Sequence, residues 1–512
     1  MNKTTITLSS LFIVNSISVL SAQEIRSKII DSITKKPIPY ATVIFNKKGL
    51  VSNEEGRFSF QFSKGSNPKD TLRISCIGYE TLAKPIDQYR DSVIFLSPKV
   101  YEIEEVILTN KNYSADEIIG KVKENLTNNY NTDYTNKRIF FRQGSHQYLL
   151  RTDYTLEKST IEEFDKNFLD NALKAIPKQN SYYSETLCEL YGNFDKENQK
   201  IHIIKASKMY NKDNEQGLLA IEKKFNKIIG EHIKPDSYFK VKSGIFGSKV
   251  ERDELFATAD STEVKELKQT LEEEENKEKA SQENFAKFKK MTIANMLDNM
   301  FFLEDSGQNF IYKSNRYEFT IKDMQYLGEE PVYVLDFTPK GSQDYAGTLY
   351  ITMDNFAIIR ADYHNVRPIK KFSLLGISFR HFKSDGKMIF SKATNGRYNL
   401  QYIEDDNSST FGVRRPLKII EKNKHVKGRR KQNELYVKID MAVNQNEKRQ
   451  LVVFDTQNIT QTAYGDLTES NTVMPVYMKA YDPDFWKGYT IIEPNQAIRN
   501  FTVEEQSSEK SD

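Results

Sequence analysis

The chain has 512 residues, enough for about two to four domains and a sizeable core. Its 74 basic and 71 acidic residues nearly cancel, for a formal net charge of +3, so there is no global electrostatic case for nucleic acid. Hydrophobic residues make up 38% and charged residues 28%, a globular balance, and the 31 Phe and 28 Tyr favour a β-rich body.

Residues 1–22 read as a secretion leader. Lys3 supplies the positive start, Ile6 to Leu20 the apolar stretch, and Ser21-Ala22-Gln23 a small-residue cleavage site. That stretch is short and broken by Asn15 and several Ser, which argues against a permanent transmembrane helix, and no later segment of the mature chain reaches the length of a helical span. Cys76 and Cys188 fall in different expected domains, so two buried free thiols are expected; no Cys-x-x-Cys occurs.

Residues 23–98 form the clearest unit. Ile25 to Ile30, Ala41 to Phe45, Arg57 to Phe62, Thr71 to Ile77 and Ser92 to Leu96 read as strands separated by turn residues, the pattern of a small β-sandwich. Pro37 and Pro39 fix φ before an edge strand, and Gly56 falls where φ is positive. Three stretches carry a resemblance: Lys36-Pro37-Ile38-Pro39-Tyr40-Ala41-Thr42-Val43, Ser52-Asn53-Glu54-Glu55-Gly56-Arg57-Phe58, and Leu72-Arg73-Ile74-Ser75-Cys76-Ile77-Gly78-Tyr79. In order and spacing they resemble the carboxypeptidase-regulatory-like family. The family's usual Gly-x-Val/Ile opening is replaced here by Ile25-Arg26-Ser27. The resemblance implies a transthyretin-like sandwich, an accessory module without catalytic residues, and an envelope protein of Bacteroidetes-type bacteria.

Residues 99–112 read as a linker, with Val100 to Thr109 similar to the segment that follows this sandwich in outer-membrane proteins of those bacteria. Residues 113–250 read as an α+β region. Ser114 and Glu117 form a capping box for a helix over 115–128, with Ile118, Ile119, Val122 and Leu126 on one face. Strands follow at 138–143, 148–154, 184–191, 200–205 and 238–242, with a helix over 216–231.

Residues 251–300 read as a charged helical insertion, rich in Glu and Lys, whose later half docks through Phe285, Phe288, Met291 and Met296. Residues 301–503 read as an antiparallel β meander, with strands at 317–321, 331–337, 347–353, 357–363, 376–382, 387–394, 398–403, 417–421 and 435–441. Glu329 to Arg360 resembles the strand–turn–strand of periplasmic lipoprotein-carrier-like half-barrels, which curl a sheet around an apolar cavity. Tyr481 to Tyr489 is a compact aromatic turn, and 504–512 a polar, disordered tail.

Chemistry-bearing signatures are missing. His146, His202, His232, His364, His381 and His425 form neither His-Glu-x-x-His nor His-x-x-Glu, and Gly-x-Ser-x-Gly, the P-loop and Gly-x-Gly-x-x-Gly do not occur. His364 follows one meander strand and His381 lies in another, where they could approach each other as ligands; the expectation for a lone strand histidine is a hydrogen-bonded neutral side chain. Asp482, Asp484 and Gly488 fail the calcium-loop pattern because Trp486 takes a ligand position. The basic run Lys422 to Lys431 reads as a solvated loop, with anionic lipid headgroups as its functional alternative.

The expectation is therefore a mainly β protein with some α: an N-terminal transthyretin-like sandwich, then an α+β region with a large antiparallel sheet, possibly a half-barrel in form. No catalytic, cofactor-binding or metal residues and no cofactor are expected. The functional reading is an exported, non-enzymatic envelope protein of the periplasm or outer membrane, with an envelope protein or an apolar, lipid-like ligand as partner. The alternatives are an accessory component of TonB-dependent outer-membrane transport and a carboxypeptidase-like enzyme, the latter disfavoured for want of a zinc motif.

Overall fold

A computed structural model describes residues 24–46, 48–62, 66–89, 92–99, 113–234, 236–244, 246–251, 269–423, 425–469 and 471–503, without the side chains of 215, 216 and 269–279. The expected leader, nearly all of the linker and the tail lie outside the described residues.

Strand β1 (Glu24–Asp31) alternates, turning Ile25, Ser27, Ile29 and Asp31 inward. It is followed by β2 (Thr42–Phe45), β3 (Lys48–Val51), β4 (Arg57–Gln61), β5 (Thr71–Ser75), β6 (Leu82–Pro85) and β7 (Val93–Leu96). These make two facing sheets, ordered β4-β1-β7 and β3-β2-β5-β6. Ile29, Val43, Phe58, Leu72, Ile74 and Leu96 fill the space between them. Gly56 has φ +74°, and a Cβ there would lie 2.5 Å from the Ile29 carbonyl oxygen, so the turn admits no side chain.

Helix α1 (Ala115–Asn129) starts at the expected capping box: the Ser114 hydroxyl accepts from the Glu117 amide and the Glu117 carboxylate accepts from the Ser114 amide. Beyond it come β8 (Thr135–Ser159), α2 (Lys166–Ala175), β9 (Gln179–Gly192), β10 (Gln199–Tyr210), α3 (Lys212–His232), β11 (Ser237–Ser243), β12 (Phe246–Glu251) and α4 (Gln269–Leu297). Then follow β13 (Tyr317–Leu327), β14 (Glu330–Pro339), β15 (Tyr345–Thr352), β16 (Ile358–Asn365), β17 (Lys370–Leu374), β18 (Ile377–Lys392), β19 (Tyr398–Asn423), β20 (Lys431–Asn458), α5 (Gln461–Asp466), β21 (Val476–Met478) and α6 (Gln496–Arg499).

Strands β8 to β21 form one 14-stranded sheet, in the order β13-β14-β15-β16-β18-β19-β20-β8-β9-β10-β21, with β11, β12 and β17 attached off this path. Its pairings are antiparallel except β10 with β21. The expected α+β region of 113–250 and the expected meander of 301–503 therefore share a single sheet, joined where β8 pairs β20 from Leu435↔Ser159 to Asn458↔Thr135. The reason is length: β8, β19 and β20 run 25, 26 and 28 residues and find full-length partners only in one another. Sequence reading cuts β8, β18 and β19 each in two, because their middle stretches are polar. Those stretches are half-exposed, so polar residues sit there without ending the strand.

The sheet has two covered faces. One carries Phe140, Leu187, Tyr402 and Val452, which pack on the sandwich and on Trp486. The other carries Phe141, Cys188, Ile403 and Leu451, which pack under α1 and the end of α4. Phe285 and Met296 of α4 dock there, whereas Phe288 and Met291 are exposed, a correction to the four-residue docking face expected. Cys76 and Cys188 are free and buried in separate clusters. No helix among the described residues is long and apolar enough to cross a membrane.

Candidate functional site: an open apolar strip ending in a polar cavity

Residues directly paired across an antiparallel sheet share a face. One row reads Phe372, Phe379, Phe411, Val443, Leu149 across β17, β18, β19, β20 and β8. The next reads Leu374, Ile377, Val413, Met441. Farther along β19 and β20, Leu417 pairs Val437 and Ile419 pairs Leu435. The alternation of β19 is unbroken from 402 to 420, so this strip lies on the face that carries Ile403 and Leu451.

Helices cover that face at both ends and leave its middle open. Ile293, Met296 and Leu297 of α4 cover one end. At the other, Phe168 of α2 and Ile228 and Ile229 of α3 pack with Phe239, Ile419 and Leu435, leaving an apolar cavity of about 170 Å³. Between them Phe411 is 48% exposed, and Phe372 and Leu374 are also exposed. Scattered exposed apolar side chains need no explanation, but a contiguous patch does.

On the α4 side the strip ends at a polar row, Lys370, His381, Ser409, Gln445 and Gln147. His381, Ser409 and Gln445 then line a cavity of about 400 Å³ together with Phe379, Gln308 and Arg449. Arg449 donates to both oxygens of Asp405 at 2.8 Å, and burial raises Asp405 in spite of that guanidinium. Gln308 donates to the Tyr363 hydroxyl at 3.3 Å, but its own carbonyl oxygen is buried without a partner. Beyond the cavity, Gln143 donates to Glu447 at 2.6 Å and accepts from Lys289 of α4 at 3.3 Å.

The residues singled out from sequence are scattered. His381 lines this cavity, its Nε2 3.1 Å from the Asn407 side-chain oxygen. His364 pairs with Asp385 and lines a separate polar groove of about 770 Å³ beside the sandwich, so the two histidines do not meet in one site. Asp482 accepts from the Asp484 amide at 2.9 Å in a turn that buries Trp486. In the basic run, Lys431 pairs with Glu434, which also takes Lys418 and Lys158 and is held down to about 2 by them. Lys427, Arg429 and Arg430 are exposed at the β19–β20 turn, and Lys424 lies outside the described residues. Among the described residues no group of three or more His, Cys, Asp or Glu is placed to hold a metal ion.

The strip itself was missed in sequence. Its signal is the alternation Ser409-x-Phe411-x-Val413 facing Val437-x-Ile439-x-Met441-x-Val443, in which the intervening residues are polar or small. Partner register, which turns two alternations into a surface, is a tertiary fact.

Residues 25–108 match the family model of the CarboxypepD_reg-like domain, so the N-terminal sandwich is a domain of that family. Among curated proteins nothing matches the chain. Three solved structures are similar at low TM-score. The LolA superfamily protein NE2245 from Nitrosomonas europaea has TM-score 0.18 and 10% identity, covering 68% of this chain and 95% of its own. The MucA/MucB complex of Pseudomonas aeruginosa has TM-score 0.15 and 8% identity, covering 65% and 93%. MucB in complex with MucA(peri) has TM-score 0.14 and 8% identity, covering 64% and 94%.

Proposed function

We propose that this protein is an exported, non-enzymatic binding protein of a bacterial envelope that holds a lipid-like ligand on the open strip. The single observation that carries the reading is the contiguous apolar surface from Leu374 to Leu149, closed at one end by a polar row and a polar cavity. Such a surface suits a molecule with an apolar tail and a polar head: the tail lies across Phe379, Phe411 and Val443, and the head meets Lys370, His381 and Gln445. The leader pattern and the sandwich, a non-catalytic module, support export and an interaction role for the N-terminus.

The test is binding of a pyrene-labelled fatty acid, followed by fluorescence. Val443→Asp places a charge in mid-strip on a half-exposed strand position and is expected to weaken binding about tenfold or more. Val443→Thr, which keeps the β-branched shape, is expected to bind closer to the parent. An unlabelled fold with no probe binding, or equal binding by Val443→Asp, overturns the reading.

A further inference from the structure

Strand β17 pairs the start of β18 as a hairpin at the edge of the sheet, and every residue of β17 is exposed. Leu374 pairs Ile377, which leaves Leu375 and Gly376 as a two-residue turn with φ of 50° and 81°. Two positive φ values define the turn type in which Asn-Gly is the default, and a bulky residue at the first position is strained. The other bulky non-Gly residues with positive φ have compensating contacts. Tyr40 (φ 59°) packs tilted against Tyr402 and reaches Glu404, and Phe356 (φ 57°) packs edge-on to Tyr113 beside the main core. Leu375 is 47% exposed and Leu374 67% exposed, so neither burial nor backbone preference accounts for a leucine pair there.

A second apolar tip sits beside the first. The Arg414 amide donates to the Gly376 carbonyl at 2.6 Å, while Arg415 donates to the Ser243 carbonyl at 2.5 Å and lies over Phe246 of the β11–β12 hairpin. Phe246 is 54% exposed. Exposed cations share this edge: Lys370 and Lys371 at the end of β17 away from the turn, Arg380 opposite Lys371, and, beside the turn, Arg414, whose side chain is 81% exposed even with Asp440 at 3.5 Å.

We infer that these two hairpin tips form a membrane-contact edge, with Leu374, Leu375 and Phe246 entering an anionic lipid surface and Lys370, Lys371, Arg380 and Arg414 meeting its headgroups. Apolar side chains at the two turns with cations along the same edge suit a lipid interface, whose interior is apolar and whose headgroups are anionic. This goes beyond the ligand-holding reading and stands without it, although the strip begins at the same edge and gives a path from the lipid surface to Phe411.

The experiment is flotation of the full chain with phosphatidylcholine vesicles, with and without phosphatidylglycerol, at low and high salt. The protein is expected to float with the anionic vesicles and to be released by salt. Leu374→Ser and Leu375→Asn are each expected to lower partitioning about tenfold. Leu375→Asn restores the preferred turn, so its Tm is expected to rise while its vesicle binding falls, which separates lost contact from lost fold. Val443→Asp, three strands from β17, is expected to lose the fatty-acid probe and keep flotation, so failure of the strip reading and failure of this one are told apart. Absence of flotation, unchanged flotation of both leucine variants, or self-association in lipid-free buffer that Leu374→Ser abolishes (pairing of two copies along β17) would each overturn the inference.

Discussion

Lys289 shows how one side chain reports its surroundings. It lies on the inner side of α4, 2% exposed, over the rings of Phe141 and Phe285, and burial pushes its amine down to about 8. The unfolded chain binds this proton up to 10.5, whereas the folded chain releases it near 8. Between these values the unfolded state holds more protons, so stability rises with pH through that window. Below it the buried ammonium costs about 3 kcal/mol. Lys289→Met is therefore expected to be more stable than the parent at neutral pH, with the difference shrinking from pH 8 to 10.5, as read from denaturant midpoints. Lys137, pushed to about 8 by the same cause, contributes a matching rise in both proteins and cancels in the comparison. Burial of Lys289 was not legible in sequence: it stands in a run of Glu and Lys that reads as solvated, and only the docking of Phe285 and Met296 turns it inward.

At the scale of elements, local chemistry carried most of the information. Helix α1 begins at the residue where Ser114 and Glu117 place it, and its four apolar residues are all buried. Ser114→Ala removes the cap and is expected to cost about 1 kcal/mol, measured by urea denaturation. The sandwich strands and the turn at Gly56 were equally legible, because prolines, glycines and alternation act over a few residues. The long strands were not. Asp405 to Thr410 falls between two strands expected from sequence, yet it lies inside β19, paired on both sides by Arg380 to Gly386 and Asn444 to Arg449. Ladder hydrogen bonds from two neighbours outweigh the low strand propensity of Asp, Asn and Ser. For the same reason the candidate site was only half visible: Phe411 and Val443 alternate correctly in sequence, but their meeting depends on register.

At the scale of the whole molecule, the C-terminal segment is fastened to the sheet by a buried ion pair. Arg142 and Glu185 meet at 2.6 Å with side chains 3% and 0% exposed; Arg142 also donates to the Ile492 and Glu493 carbonyls, and Trp486 donates to Glu185 at 2.6 Å. Removing one partner strands a buried charge, so Glu185→Leu is expected to cost about 3–5 kcal/mol, while Arg142→Met with Glu185→Leu regains part of the loss. Trp486 is the chain's single tryptophan, so its fluorescence reports this fastening directly. A red shift in Glu185→Leu before global unfolding is the expected signature.

The same seam joins the domains. Tyr40 reaches Glu404 on β19, Asn53 donates to the Glu493 carbonyl of the C-terminal segment, and Lys99, just past the sandwich, donates to the Gly328 carbonyl at the β13–β14 turn, so the sandwich is held to both the sheet and the C-terminal segment. By itself the sequence determined what is decided within a few residues: a sandwich of a recognisable family, the capped helix, the turns, a β-rich remainder and two unpaired thiols. The tertiary structure alone decided that 113–250 and 301–503 share a sheet, which face of it is left open, and that an exposed leucine turn ends that face. The physical reason is range. Caps, turns and alternation are set by neighbours along the chain, whereas strand register and exposure are set by partners hundreds of residues away, here β8 against β20.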